Sequence, residues 1–119
     1  MHTSLVNTID YIEMPSRDLA ETKRFFSTLF GWRFDDYGPD YASFDDGRMA
    51  GGFFSSQETG EVASGGALVV LYHPDLEKTL EEVRTLGGHI TREIFEFPGG
   101  RRFHFCEPGG GEFAVWFDK

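Results

Sequence analysis

The chain has 119 residues, with 20 Asp and Glu against 11 Lys and Arg, giving a formal net charge of −9 at pH 7. That length suits one compact domain with a real core. A field of this sign repels phosphate backbones and anionic membranes, and no basic cluster exceeds "GGRR" at Gly99–Arg102, so nucleic acid and membrane partners are not expected. A single cysteine, Cys106, no apolar run of membrane-spanning length and an opening "MHTSLVNTIDYIEM" without the pattern of a signal peptide predict a chain of the reducing cytoplasm.

Aromatic residues make up 16% of the chain, 13 of them Phe, beside 15 Gly, a balance that suits curved strands joined by tight turns. "NTIDYIEM" (Asn7–Met14) alternates polar and apolar residues as a half-buried strand does, and "PSRD" ends it. Asp18 caps a helix, with Glu21 placed to reach back to the cap, and Leu19, Phe26, Leu29 and Phe30 share a face. Gly31 stops the helix. Strands follow at Trp32–Tyr37, Tyr41–Asp46 and Arg48–Phe54, so the first half reads β-α-β-β-β.

A polar linker over residues 55–65 separates this module, about residues 7–54, from a second at about 66–119. The second repeats the order. "ALVVLYH" is a strand, Asp75 caps a helix with Leu76, Leu80, Val83 and Leu86 on one face, and Gly87–Gly88 ends it. His89–Phe97, Arg101–Glu107 and Glu112–Phe117 supply three strands. Asp18 and Asp75 lie 57 residues apart, as do "LFG" at Leu29–Gly31 and "LGG" at Leu86–Gly88. The predicted fold is α+β, two β-α-β-β-β modules pairing into an eight-stranded, open, curved sheet with helices outside.

The duplication, the helix-ending "FGW" and the run "EPGGGEFAVWF" resemble the vicinal oxygen chelate superfamily of glyoxalases, extradiol dioxygenases and bleomycin-resistance proteins, over essentially the whole chain. Metal-containing members hold the ion with up to four side chains, from the first and last strand of each half. Similarity to the family's His-x-Glu-Leu-Pro opening puts Tyr11 at the first place and, 57 residues on, Leu68 at its counterpart. The closing run puts Ala114 at the last place, or Val115 if the register slips by one, and the first module offers Gly51 or Gly52. Zinc and transition metals require imidazole, thiolate or carboxylate, so the resemblance implies the hollow without the metal and without any other cofactor.

Glu13 shares a strand face with Tyr11 and is either a base or anchor in the hollow or a rim carboxylate paired with a cation or a backbone N–H. His104, flanked on its own face by Arg102 and Cys106, either meets a ligand or packs as an aromatic residue. Cys106 reads as filler rather than nucleophile, the glycine runs as hairpin turns, and Asp35–Asp36 and Asp45–Asp46 as solvated strand ends. His73, His89 and His2 have no ligand spacing. The expected lining of the hollow is Tyr11, Glu13, one of Phe53 and Phe54 (with Phe53 the choice), Leu68, Val70, His104, Ala114 and Trp116.

Three functions compete: a metal-independent small-molecule-binding protein, a glyoxalase-like lyase or isomerase using Glu13 and His104 for proton transfer, and an interaction module with a collapsed cleft. The first is preferred because it needs only the hollow and its rings. A homodimer is expected, since exposed sheet edges need cover.

Overall fold

The computed structural model describes residues 5–59 and 65–119. The order is β1 (Tyr11–Ser16), α1 (Leu19–Phe30), β2 (Arg33–Asp36), β3 (Tyr41–Asp45), β4 (Ala50–Ser55), β5 (Val69–Tyr72), α2 (Leu76–Thr85), β6 (His89–Phe97), β7 (Gly100–Cys106) and β8 (Glu112–Phe117). The two halves form separate four-stranded sheets of identical plan, β1-β4-β3-β2 and β5-β8-β7-β6. In each, the first strand runs parallel to the last and the other pairs are antiparallel. The predicted α+β class and the duplicated order hold. Five residues of the expected linker, 60–64, lie outside the described residues, as does His2.

The caps form where Asp18 and Asp75 predict them, each side chain accepting from the backbone N–H three residues on. Glu21 does not reach back to the cap, because Arg24, one turn on, binds its carboxylate at 2.9 and 3.2 Å. Gly31 takes φ 73°, and its N–H closes α1 onto Phe26 and Ser27. The first strand starts at Tyr11 rather than Asn7 and runs through Pro15 to Ser16. Proline is tolerated there because β1 is an edge strand, so the missing N–H removes no bond from a central ladder.

Alternation assigns each strand two faces. Facing the helices are Met14, Phe44 and Phe53 of the first sheet and Phe103, Phe105, Phe113 and Val115 of the second, all in one core with Phe25, Phe26, Leu76, Leu80 and Val83. Phe25, off the face expected for α1, is fully buried, whereas Leu19, Leu29 and Phe30 are only partly buried. Its ring lies 5.7 Å from Phe105, while Phe26 stacks 4.4 Å from Trp32 and meets Phe113 edge-on at 5.0 Å. Thus α1 packs on both sheets and makes one core of the two modules.

A buried polar chain reinforces the joint. Ser16 and Thr22 hydroxyls lie 2.7 Å apart, Thr22 Oγ1 donates to Glu107 Oε1 at 2.7 Å, and Gly109 N–H donates to the same oxygen. Burial pushes the Glu107 carboxyl above its ordinary value of 4.5, against the opposing pull of these hydrogen bonds. Among the described residues no helix is long and apolar enough to cross a membrane.

Candidate ligand-binding site

Most of the residues expected to line the hollow stand on the faces turned away from the helices. On the first sheet that face holds Tyr11, Glu13 and Pro15 of β1, Ala50, Gly52 and Phe54 of β4, and Tyr41 and Ser43 of β3. Phe53 corrects the expected lining: it is fully buried and stacks 5.6 Å from Phe26, because it pairs with Met14 and Ala42 on the helix side. Its neighbour Phe54 takes the open face. A groove of about 1000 Å³ runs along this sheet, lined by Tyr11, Tyr37, Tyr41, Ser43, Asp35 and their neighbours, all from the first module.

Tyr11 and Tyr41 hydroxyls lie 2.5 Å apart, and Tyr41 donates to Glu13 Oε2 at 2.8 Å. With Tyr41 donating to the carboxylate, Tyr11 donates to Tyr41. Desolvation, helped by the hydrogen bonds to Tyr11 and Glu13, drives the Tyr41 phenol well above the usual tyrosine range. The chain of hydroxyls lies over Gly52, where a Cβ would overlap both phenols. Glu13 also lines a second, smaller cleft of about 170 Å³ at the seam of the modules, with Val69 and Glu112 across from it.

On the second sheet the open face holds Val70 and Tyr72 of β5, Glu112, Ala114 and Trp116 of β8, and Arg102 and His104 of β7. Ala114 is fully buried between Val70 and His104, its partners in register, and Trp116 meets Tyr72 edge-on at 5.3 Å. Leu68 is half-buried just before β5. His104 Nδ1 lies 4.0 Å from Glu112 Oε2. Burial first, then the Arg102 charge, holds its pKa below 6.5 against the pull of Glu112, which leaves a neutral imidazole at neutral pH.

The structure also brings in residues that the sequence reading passed over. Tyr41 was legible only as a strand residue, since its role depends on the bare backbone at Gly52. Arg92 reaches the open face of β6 through irregular pairing: it stands opposite His104, while Ile90 stands opposite Phe105 and Phe95 opposite Arg102, so the register shifts on both sides of Arg92. Strict alternation from Ile90, which packs on the core, would have put Arg92 on the helix side and Phe95 on the open face.

The side chains at the family's metal places do not suit a metal. Tyr11 is engaged by Tyr41, Gly52 has no side chain, and Leu68 and Ala114 are apolar. Among the described residues no three His, Cys, Asp or Glu group as metal ligands would. The paired aspartates serve surface structure instead: Asp36 meets Lys23 at 2.7 Å, and Asp45 and Asp46 accept from the turn at Gly47–Met49. His73 Nδ1 accepts from Asp75 N–H, a local turn contact.

Two repeated sheets with helices on one side and an open, aromatic face on the other define a duplicated βαβββ fold. The chain belongs to the Glyoxalase/Bleomycin resistance protein/Dioxygenase superfamily, whose family model matches residues 8–115. It is similar in fold to a glyoxalase/bleomycin resistance protein/dioxygenase family enzyme from Burkholderia phytofirmans PsJN, with TM-score 0.75 and 16% identity over 90% of this chain and 97% of that one. The fosfomycin resistance protein FosX from Listeria monocytogenes, complexed with Mn(II) and sulfate, gives TM-score 0.77 and 15% identity over 97% and 93%. Lactoylglutathione lyase from Agrobacterium tumefaciens gives 0.69 and 18% over 92% of each chain. No match was found among curated proteins.

Proposed function

We propose that this protein binds a small organic molecule in the hollow between its two modules without using a metal. The observation that carries the reading is the Tyr11–Tyr41–Glu13 chain lying over Gly52. It fills the first module's share of the family's metal site with phenols and one carboxylate, and it presents an aromatic wall to the open groove. Rings offer apolar contact at low entropic cost, and Glu13 offers a charged acceptor to a donor on the ligand. Trp116 faces the same side of the second sheet as Ala114, so stacking of a planar ligand should change indole emission.

The test is a thermal-shift screen of small aromatic and dicarbonyl compounds, followed by titration of wild type, Glu13→Gln and Trp116→Ala. Hits that bind all three proteins equally would place the site elsewhere.

A second reading, a lyase or isomerase, is favoured by one relationship. Glu13 and Glu112 line the same seam cleft, and Glu112 lies 4.0 Å from His104, so two carboxylates and a neutral imidazole able to relay a proton stand at one joint. Deuterium exchange at the carbon beside the carbonyl of a bound dicarbonyl compound, lost in both Glu13→Gln and His104→Gln, would establish it.

We also propose a homodimer. Tyr11, Phe54, Val70 and Tyr72 remain between 39% and 55% exposed on the open faces, apolar surface that a second copy would cover. Light scattering giving a monomer mass at micromolar concentration would exclude it.

A further inference from the structure

We infer that the open face of the second sheet is an anion subsite, and that the ligand is a planar organic acid whose carboxylate is taken by Arg92 and Arg102. This rests on the binding reading above and gives it a substrate class. Arg92 lies flat on Phe95, its guanidinium carbon 3.5 Å from the ring centroid, and Arg102 sits 5.3 Å from the same ring and 5.2 Å from Phe97. Stacking on rings fixes the plane of a guanidinium while leaving its N–H edge available to a carboxylate.

Three observations make this more than a pair of surface cations. First, the chain carries 20 acidic residues against 11 basic, yet among the described residues neither arginine has a carboxylate within salt-bridge distance, while Arg24, Arg84 and Arg101 all do. In so acidic a protein, two adjacent arginines kept clear of carboxylates leave a positive spot. Second, Arg102 Nε and His104 Nε2 are buried with no hydrogen-bond partner. A buried unpaired polar atom is costly, and among the described residues neither atom has a hydrogen bond that a ligand would have to break. Third, the register shifts on either side of Arg92 in β6 turn that residue onto the face of Phe95, so its guanidinium lies against the ring because of a bulge.

Glu112 is the opposing charge nearby, and it faces the Nδ1 side of His104 while Nε2 is on the other side of the ring. An anion near Nε2 would therefore sit across the imidazole from Glu112 rather than against it. Trp116, opposite Arg102, offers a flat surface for the body of the acid.

The test is calorimetric titration of the full chain with benzoate and with benzamide, its neutral isostere, in low salt. Benzoate should bind and benzamide should bind at least about tenfold more weakly, the ratio expected for loss of one charged hydrogen bond. Arg92→Gln, an exposed change that leaves the core untouched, and Arg102→Gln should each weaken benzoate about tenfold or more, with melting temperatures confirming that both fold. Arg48→Gln, on the turn before β4, should leave binding unchanged. Equal binding of the two probes, or benzoate binding unaffected by Arg92→Gln and Arg102→Gln, overturns the anion subsite while leaving a ligand-binding hollow in place. Failure of both probes overturns the subsite, and it overturns the binding reading as well if the wider compound screen is also blank.

Discussion

Tyr41 and Glu13 are joined by a 2.8 Å hydrogen bond although β4 runs between their strands. The bond spans a strand because Tyr41, whose partner in register is Phe54, reaches diagonally over Gly52, the partner of Glu13, which has no side chain to stand in the way. A glycine here is thus a spacer for a hydroxyl chain.

Replacing Gly52 with Ala should break that chain. The new Cβ overlaps both phenols, so Tyr41 and Tyr11 must swing out, at a cost of about 1–3 kcal/mol for an overpacked site. Spectroscopic titration of the four tyrosines should show the change directly. In wild type the Tyr41 phenol ionises far above the ordinary value of 10, and in Gly52→Ala, solvated and freed from Glu13, it should return towards it. A titration curve unchanged from wild type would mean that the hydroxyl chain is not there.

Glu107 makes stability depend on pH in a defined direction. Its native pKa is raised, so folding favours the protonated form: the associated stability is fully present below the unfolded value of about 4.5 and is lost as pH rises through the native value. Glu107→Gln keeps an oxygen for Thr22 and Gly109 and puts an uncharged NH2 at the oxygen that has no partner. That variant should match or exceed wild-type stability at pH 8 and lose this part of the pH dependence. Glu107→Ala should cost about 2–4 kcal/mol, since it strands two buried donors. Urea denaturation at several pH values distinguishes the three proteins.

The two neighbouring phenylalanines of β4 should respond very differently to truncation. Phe53→Ala removes a fully buried ring from the aromatic core and should cost about 3–5 kcal/mol, whereas Phe54→Ala, 39% exposed, should cost about 1 kcal/mol or less. Comparable losses would mean that the faces of β4 are wrongly assigned.

Metal should contribute nothing to stability. Dialysis against a chelator is expected to leave the melting temperature unchanged, and elemental analysis should find no stoichiometric zinc, nickel, iron or manganese. A drop in melting temperature on chelation, restored by one of these ions, would show ligands outside the family's places.

The fold was legible because its signals are local and repeated: an Asp cap, an apolar helical face, a stopping glycine and three short strands, then the same again 57 residues later. The site was less so. Tyr11, Glu13, Val70, His104, Ala114 and Trp116 follow from alternation once the strands are placed, and all lie on the open faces. Phe53 could not be told from Phe54, because adjacent phenylalanines leave the phase of a strand undecided. Arg92 was hidden by a bulge, which changes the phase within one strand and leaves no mark in composition. Tyr41 was hidden because a cross-strand partner depends on register, which a single sequence does not encode locally.

The packing of Phe25 and Phe26 against Phe105 and Phe113 bears on how such a molecule could have arisen. The helix of one half is roofed by rings of the other, so a solitary βαβββ unit would leave an aromatic slab in water. Its way of covering that slab is to meet a second copy, at a rate set by concentration. Fusing two copies end to end holds the partner permanently at high effective concentration and releases each half from the need to match itself. Each half could then change independently, and here they have: the first carries phenols and a carboxylate on its open face, the second arginines, a histidine and an indole.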